Sequence, residues 1–209
     1  MTSKSLGPKE LADHASAIGY LCIYYAELES ILTQLISRMA GLKGETFDLF
    51  ANQIDLAKKL TLARGLAVSR KAPTDWYTDL DSILVDIQSH IMPKRNRYVH
   101  DGWRVTMVDT IVLRRTEKTR VEKPQSHKPP ALTTREYTNT SAADIWDLSK
   151  DLIAVRDGLL ILDDGFHSLQ FRETPQLLPQ QLRDQMIARR KAPKANSKAA
   201  RSRTSASPV

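Results

Sequence analysis

The segment Ser141-Ala142-Ala143-Asp144-Ile145-Trp146-Asp147-Leu148-Ser149-Lys150-Asp151-Leu152-Ile153-Ala154-Val155, continuing to Leu169, decides the fold. Ile145, Leu148, Leu152, Val155, Leu159, Leu162, Phe166 and Leu169 recur at spacings of 3-4-3-4-3-4-3. That period winds a single apolar stripe along a helix and suits packing against near-parallel or antiparallel neighbours. Ser141 and Asp144 sit three apart at its start, the spacing of a capping box, with Asp in place of the usual Glu. Pro175 ends the pattern.

A helix with one apolar stripe needs partners, and the sequence upstream supplies three. From about Pro8 to Ala40, Leu11, Ala15, Ile18, Cys22, Tyr25, Leu28, Leu32, Leu35 and Met39 form a second stripe, closed by Gly41 and Gly44. A helix over about Leu49–Ser69 follows, with Leu56, Leu60, Ala63 and Ala67 on one face. Pro73-Thr74-Asp75 reads as a fresh start, with Thr74 as cap, and Trp76, Leu80, Ile83, Leu84, Ile87 and Ile91 carry the third upstream stripe. Pro93 is expected to kink or restart that helix, which continues to about Asp101.

After Gly102 the period changes to two: Trp103, Val105 and Met107, then Ile111, Leu113 and Arg115, alternate as strands do. Residues 116–134 hold Pro124, Pro129 and Pro130 among polar groups, and Arg135–Thr140 reads as a returning strand. The fold expected is mainly α: an antiparallel four-helix bundle formed by residues 1–101 and 141–172, with a small β-hairpin insertion and loop at 102–140 between helices three and four. Residues 173–209 are expected to be a basic, disordered tail.

Of the 209 residues, 41% are hydrophobic and 26% charged, enough apolar matter for a core. The net charge of +7 is uneven. Residues 181–209 hold Arg183, Arg189, Arg190, Lys191, Lys194, Lys198, Arg201 and Arg203 against one acid, Asp184, which equals the whole excess. Attraction to a polyanion is therefore expected from the tail or from a local patch. The one cysteine, Cys22, excludes an internal disulfide. No apolar run reaches the ~20 residues of a membrane span, and none follows the amino terminus as a secretory signal would. A cytoplasmic location without membrane association is the expectation.

Phosphate loops, dinucleotide fingerprints, nucleophile elbows and zinc-protease motifs are missing from the sequence. His14, His90, His100, His127 and His167 lack metal-ligand spacing, so neither metal nor cofactor is expected. The remaining concentration of chemistry is Lys94-Arg95-Asn96-Arg97-Tyr98-Val99-His100. On a helix Asn96 and His100 share a face, and the long Arg95 side chain reaches the same region. Imidazole transfers protons near neutral pH and guanidinium neutralises phosphate oxygens, a pairing suited to RNA cleavage. On spacing alone, such cations at a helix C-terminus more often complement the helix dipole than form a catalytic pair.

Arg95-Asn96-x-x-x-His100, late in the third helical region of a small bundle, resembles the R-x4-6-H motif of the HEPN domain family, with the customary polar residue after the arginine. Gly102-Trp103, the strand-like insertion and the long closing helix are similar to bacterial members. Asp101 stands where small residues commonly follow the histidine. The resemblance implies a HEPN-like bundle acting as a metal-independent endoribonuclease and homodimer, both motifs meeting in one cleft. Arg95 would stabilise the transition state, His100 transfer protons and Asn96 orient. Lys94, Arg97, Arg189, Arg190 and Lys191 are the candidate RNA contacts. A role as the toxin of a toxin–antitoxin or phage-defence module, with an antitoxin protein as partner, falls within this reading. A non-catalytic HEPN-like module for dimerisation, or for binding a nucleotide or partner, is the alternative.

Overall fold

A computed structural model describes residues 8–42, 47, 49, 51, 53–100, 102–105, 113–116, 137–170 and 177–191. Its helices are α1 (Pro8–Ala40), α2 (Leu56–Ser69), α3 (Thr74–Asp86), α4 (Met92–His100), α5 (Ala142–Gln170) and α6 (Gln180–Lys191). Between α3 and α4 the chain continues through one π-helical turn, Ile87–Ile91.

The closing helix follows its sequence pattern. Ile145, Leu148, Leu152, Val155, Leu159, Leu162 and Phe166 are all buried. Its capping box is formed: Asp144 N–H donates to Ser141 Oγ at 3.2 Å, and Ser141 N–H donates back to Asp144 Oδ2 at 2.7 Å. Asp serves in place of Glu because the two residues already lie close at the helix start. Gly158 lets α3, α5 and α6 meet there. A Cβ on it would lie 2.8 Å from Ile83 Cδ1 and 3.0 Å from Leu182 Cδ2.

In α1 the buried face departs from the expected stripe. Ala17 and Leu21 are buried beside Tyr25, Leu28, Leu32, Leu35 and Met39, whereas Ala15 is exposed and Ile18 and Cys22 are half-buried. A straight helix has 3.6 residues per turn, so a 3.5-residue stripe drifts off the contact line over 33 residues. Toward the N-terminus the buried spacing lengthens to four, which keeps the face on its neighbours.

The bundle is not antiparallel throughout. Tyr20 packs on Trp146, Arg156 pairs with Glu27, and Arg38 pairs with Asp163. Both chains advance together along that series, so α1 and α5 run parallel. Lys59–Glu29 and Arg70–Met39 likewise make α2 parallel to α1. α3 and the π turn after it oppose α5, with Trp76 Nε1–H donating to Leu162 O and His90 meeting Asp151. α6 opposes it too, with Leu182 at Gly158 and Arg189 at Asp151. The expected antiparallel order therefore fails for α1, α2 and α5, which share one direction. Phe47, Leu49 and Ala51 are helical, but the chain leaves the helix at residues 53–55. Asp55 caps α2 at Leu56, its carboxylate accepting Lys58 N–H at 2.8 Å, so the expected Leu49–Ser69 helix is interrupted.

The third helix is interrupted ahead of Pro93 by the π turn and restarts as an α-helix at Met92. A proline cannot donate to the carbonyl one turn back. The π turn accommodates this, with Met92 N–H reaching Ile87 O five residues away. Pro73, not Thr74, occupies the N-cap of α3, and no side chain caps it.

Within 102–140 the described residues form β1 (Gly102–Val105), β2 (Leu113–Thr116) and β3 (Tyr137–Asn139), an antiparallel sheet in the order β1-β2-β3. Met107 and Ile111 lie outside the described residues.

The expectation of a disordered segment from 173 onward is corrected by α6. Leu178 and Met186 are buried, Arg183 binds Asp79 at 2.6 Å, and Arg189 binds Asp86 at 2.6 Å. Two arginines meeting two buried carboxylates hold this polar helix on α3. Residues beyond Lys191, including the stretch after Pro193, lie outside the described residues.

Two helix ends close with the same motif. After α1, Leu42 N–H donates to Ser37 O and Gly41 N–H to Arg38 O, with Gly41 at φ 71°. After α2, Ala72 N–H donates to Ala67 O and Lys71 N–H to Val68 O, with Lys71 at φ 55°. Both are Schellman caps, whose left-handed position favours glycine. A lysine there costs about 1 kcal/mol of backbone strain.

Candidate active site

Arg95, Asn96 and His100 lie on α4, none of whose residues is fully buried. Arg95 is half-buried, whereas Lys94, Asn96, Arg97 and His100 are exposed. Arg95 lies on α1: its Cζ sits 4.6 Å from the centre of the Tyr25 ring. A guanidinium over an aromatic face is held electrostatically, by about 0.5–2 kcal/mol depending on desolvation. Burial pushes the Tyr25 hydroxyl above its ordinary range. The Arg95 charge works against that and Glu29 adds to it. The ring therefore meets Arg95 as a neutral phenol.

From this seat Arg95 Nη1 reaches two partners. It donates to Asn96 Oδ1 at 3.2 Å and lies 3.2 Å from His100 Nε2. Arginine offers only N–H groups, so the second contact is a hydrogen bond when His100 Nε2 is the unprotonated nitrogen. Arg95 Nε is buried with no hydrogen-bond partner among the described residues. The structure thus brings together all three residues that the sequence singled out, with one difference of detail. Asn96 braces Arg95 rather than the imidazole.

The strand start closes the end of this helix. Trp103 Nε1–H donates to Tyr98 O at 3.0 Å, satisfying a carbonyl at the helix C-terminus. The Trp103 ring meets His14 edge-on at 6.1 Å, and His14 Nε2 lies 3.3 Å from Thr140 O. Trp103 and Tyr98 are consequently packing residues that fix the segment, as is Tyr25. Neither Tyr25 nor His14 stood out in the sequence, because each lies far along the chain from the segment it supports. Asp101 lies outside the described residues.

The candidate RNA contacts divide. Lys94 and Arg97 flank the Arg95–His100 pair, and Lys191 is exposed on α6. Arg189 is instead committed internally, to Asp86 at 2.6 Å and Asp151 at 3.5 Å, its side chain 13% exposed. The side chain of Arg190 lies outside what is described. A second histidine, His90, is 2.9 Å from Asp151. Burial raises the Asp151 carboxyl, but the His90 hydrogen bond and the charges of Arg189, His90 and Lys94 leave it below the usual carboxylate range. Among the described residues, no group of three or more His, Cys, Asp or Glu is placed to hold a metal ion. No helix among them is long and apolar enough to cross a membrane.

Comparisons with protein-family models, with curated proteins and with solved structures find no match for the chain. Its functional reading rests on the residues themselves.

Proposed function

We propose that the chain is a metal-independent endoribonuclease of the HEPN type, with Arg95 and His100 as its reacting pair. The observation that carries this reading is the 3.2 Å approach of Arg95 Nη1 to the exposed His100 imidazole, on a guanidinium already fixed by Tyr25 and Asn96. In the reaction the RNA 2′-oxygen attacks the adjacent phosphorus and the bond to the 5′-oxygen breaks. The 2′-hydroxyl proton passes to a neutral imidazole, and the departing 5′-oxygen takes a proton from an imidazolium. The products are a 2′,3′-cyclic phosphate and a 5′-hydroxyl. Arg95 donates to the non-bridging oxygens as charge builds there.

A homodimer would supply a second His100, so that one imidazole accepts while the other donates. Lys94, Arg97 and Lys191 are the exposed cations assigned to the RNA backbone in this reading. Action in the cytoplasm as a toxin restrained by an antitoxin protein is the setting the HEPN resemblance suggests.

A non-catalytic module for dimerisation, or for nucleotide or partner binding, is the second reading. It is favoured by the internal commitments of Arg95 to Tyr25 and Asn96. Total RNA incubated with purified protein and EDTA, beside His100→Ala, separates the two. Cleavage by wild type alone supports the nuclease, and intact RNA in both tubes supports the binding module.

A further inference from the structure

At the C-terminal end of α1, well beyond the Tyr25 seat of Arg95, a cleft of about 440 Å³ is lined by Arg38, Gly41, Arg70, Lys71, Pro73 and Phe166. It lies between the two Schellman caps that end α1 and α2. Its position follows from the parallel run of those helices, which brings both carbonyl ends to one side of the bundle.

The charges there do not cancel. Each helix C-terminus contributes roughly half a negative charge, and Asp163 contributes one more. Arg38 is paired with Asp163 at 2.7 Å, and Arg70 Nε donates to Met39 O. Three cations against these leave about one positive charge in excess. The third cation stands where it is least expected. Lys71 holds the left-handed cap position at φ 55°, which glycine fills without strain, as Gly41 does in the facing cap. The cap is closed by backbone hydrogen bonds alone, so the Lys71 side chain takes no part in ending α2.

We propose that this cleft binds a small organic phosphate, the phosphate held by Lys71 with the free N–H groups of Arg70 and Arg38, and the apolar remainder against Phe166. Its volume is in the range of sites for molecules of nucleotide size. The arginine forks give paired N–H donors to phosphate oxygens, and lysine adds a point charge. This site is separate from the Arg95–His100 pair, so it stands or falls independently of the nuclease reading.

Lys71→Gly gives a clean test, because glycine suits the cap and should leave the melting temperature equal or higher. Titration calorimetry of the full chain with inorganic pyrophosphate and with ADP, at fixed ionic strength, should detect binding of at least one probe. In Lys71→Gly that affinity should fall roughly tenfold, the scale of one charge-assisted contact. Absence of binding of either probe at millimolar concentration overturns the proposal. So does unchanged affinity in the folded variant.

Discussion

Arg95 depends on a ring contributed from seventy residues upstream, and that dependence sets what single substitutions should do. His100→Ala and Arg95→Ala should each lower RNA cleavage by at least ~10²-fold, the scale of losing proton transfer or transition-state charge stabilisation. Arg95→Lys should recover little, since an ammonium keeps the charge and loses the planar donor fork. Tyr25→Leu should preserve apolar packing on α1 while releasing the guanidinium, reducing kcat more than it raises KM. Single-turnover cleavage with circular dichroism on each variant checks these outcomes. Cleavage that persists in both alanine variants returns the site to the binding-module reading. The pair itself was legible in the sequence, because Arg95, Asn96 and His100 are helical neighbours. Its supports were not: Tyr25 appeared only as one more apolar position, and nothing local connects it to Arg95.

Among the elements, α5 was the most legible and α6 the least. A 3-4 apolar rhythm and a capping box state both the course and the start of α5. Gln180–Lys191 is polar and basic, and what orders it is a pair of carboxylates, Asp79 and Asp86, more than a hundred residues earlier. No local pattern announces such partners. Removing Arg189 should therefore be costly. Arg189→Ala leaves the fully buried Asp86 without this cation and should destabilise the fold by about 3–5 kcal/mol, measured by urea denaturation. A loss under 1 kcal/mol would mean that α6 contributes little to holding the bundle.

The acid side of the stability curve belongs to the same group. Asp151 has its carboxyl held below the usual range in the folded chain. A depressed folded value stabilises the fold above the unfolded pKa of about 3.9 and loses that contribution as pH falls through the folded value. Melting temperature should drop more steeply below about pH 4 in wild type than in Asp151→Asn. Parallel curves would show that Asp151 ionisation does not couple to folding.

For the whole molecule, the nuclease reading requires two copies, and light scattering at tens of micromolar should return the mass of a dimer. Mixing wild type with an excess of His100→Ala should then lower activity below that of the wild-type fraction alone, because each mixed dimer holds a single imidazole. A stable monomer, or activity unaffected by the mixing, removes the composite site. The helical class and the four principal stripes could be read from the sequence. The direction of the helices could not, because apolar spacing gives the face of a helix without saying which way its neighbour runs. The parallel pairing of α1 with α5 also governs how the chain reaches this state. Glu27 meets Arg156 across 129 positions, so the inner face of α1 gains its main cover only after α5 has been synthesised. Loops of that span close slowly compared with those of an up-and-down bundle. On the ribosome, α1 therefore waits with much of its inner face uncovered until α5 emerges, the interval in which a chaperone would find it.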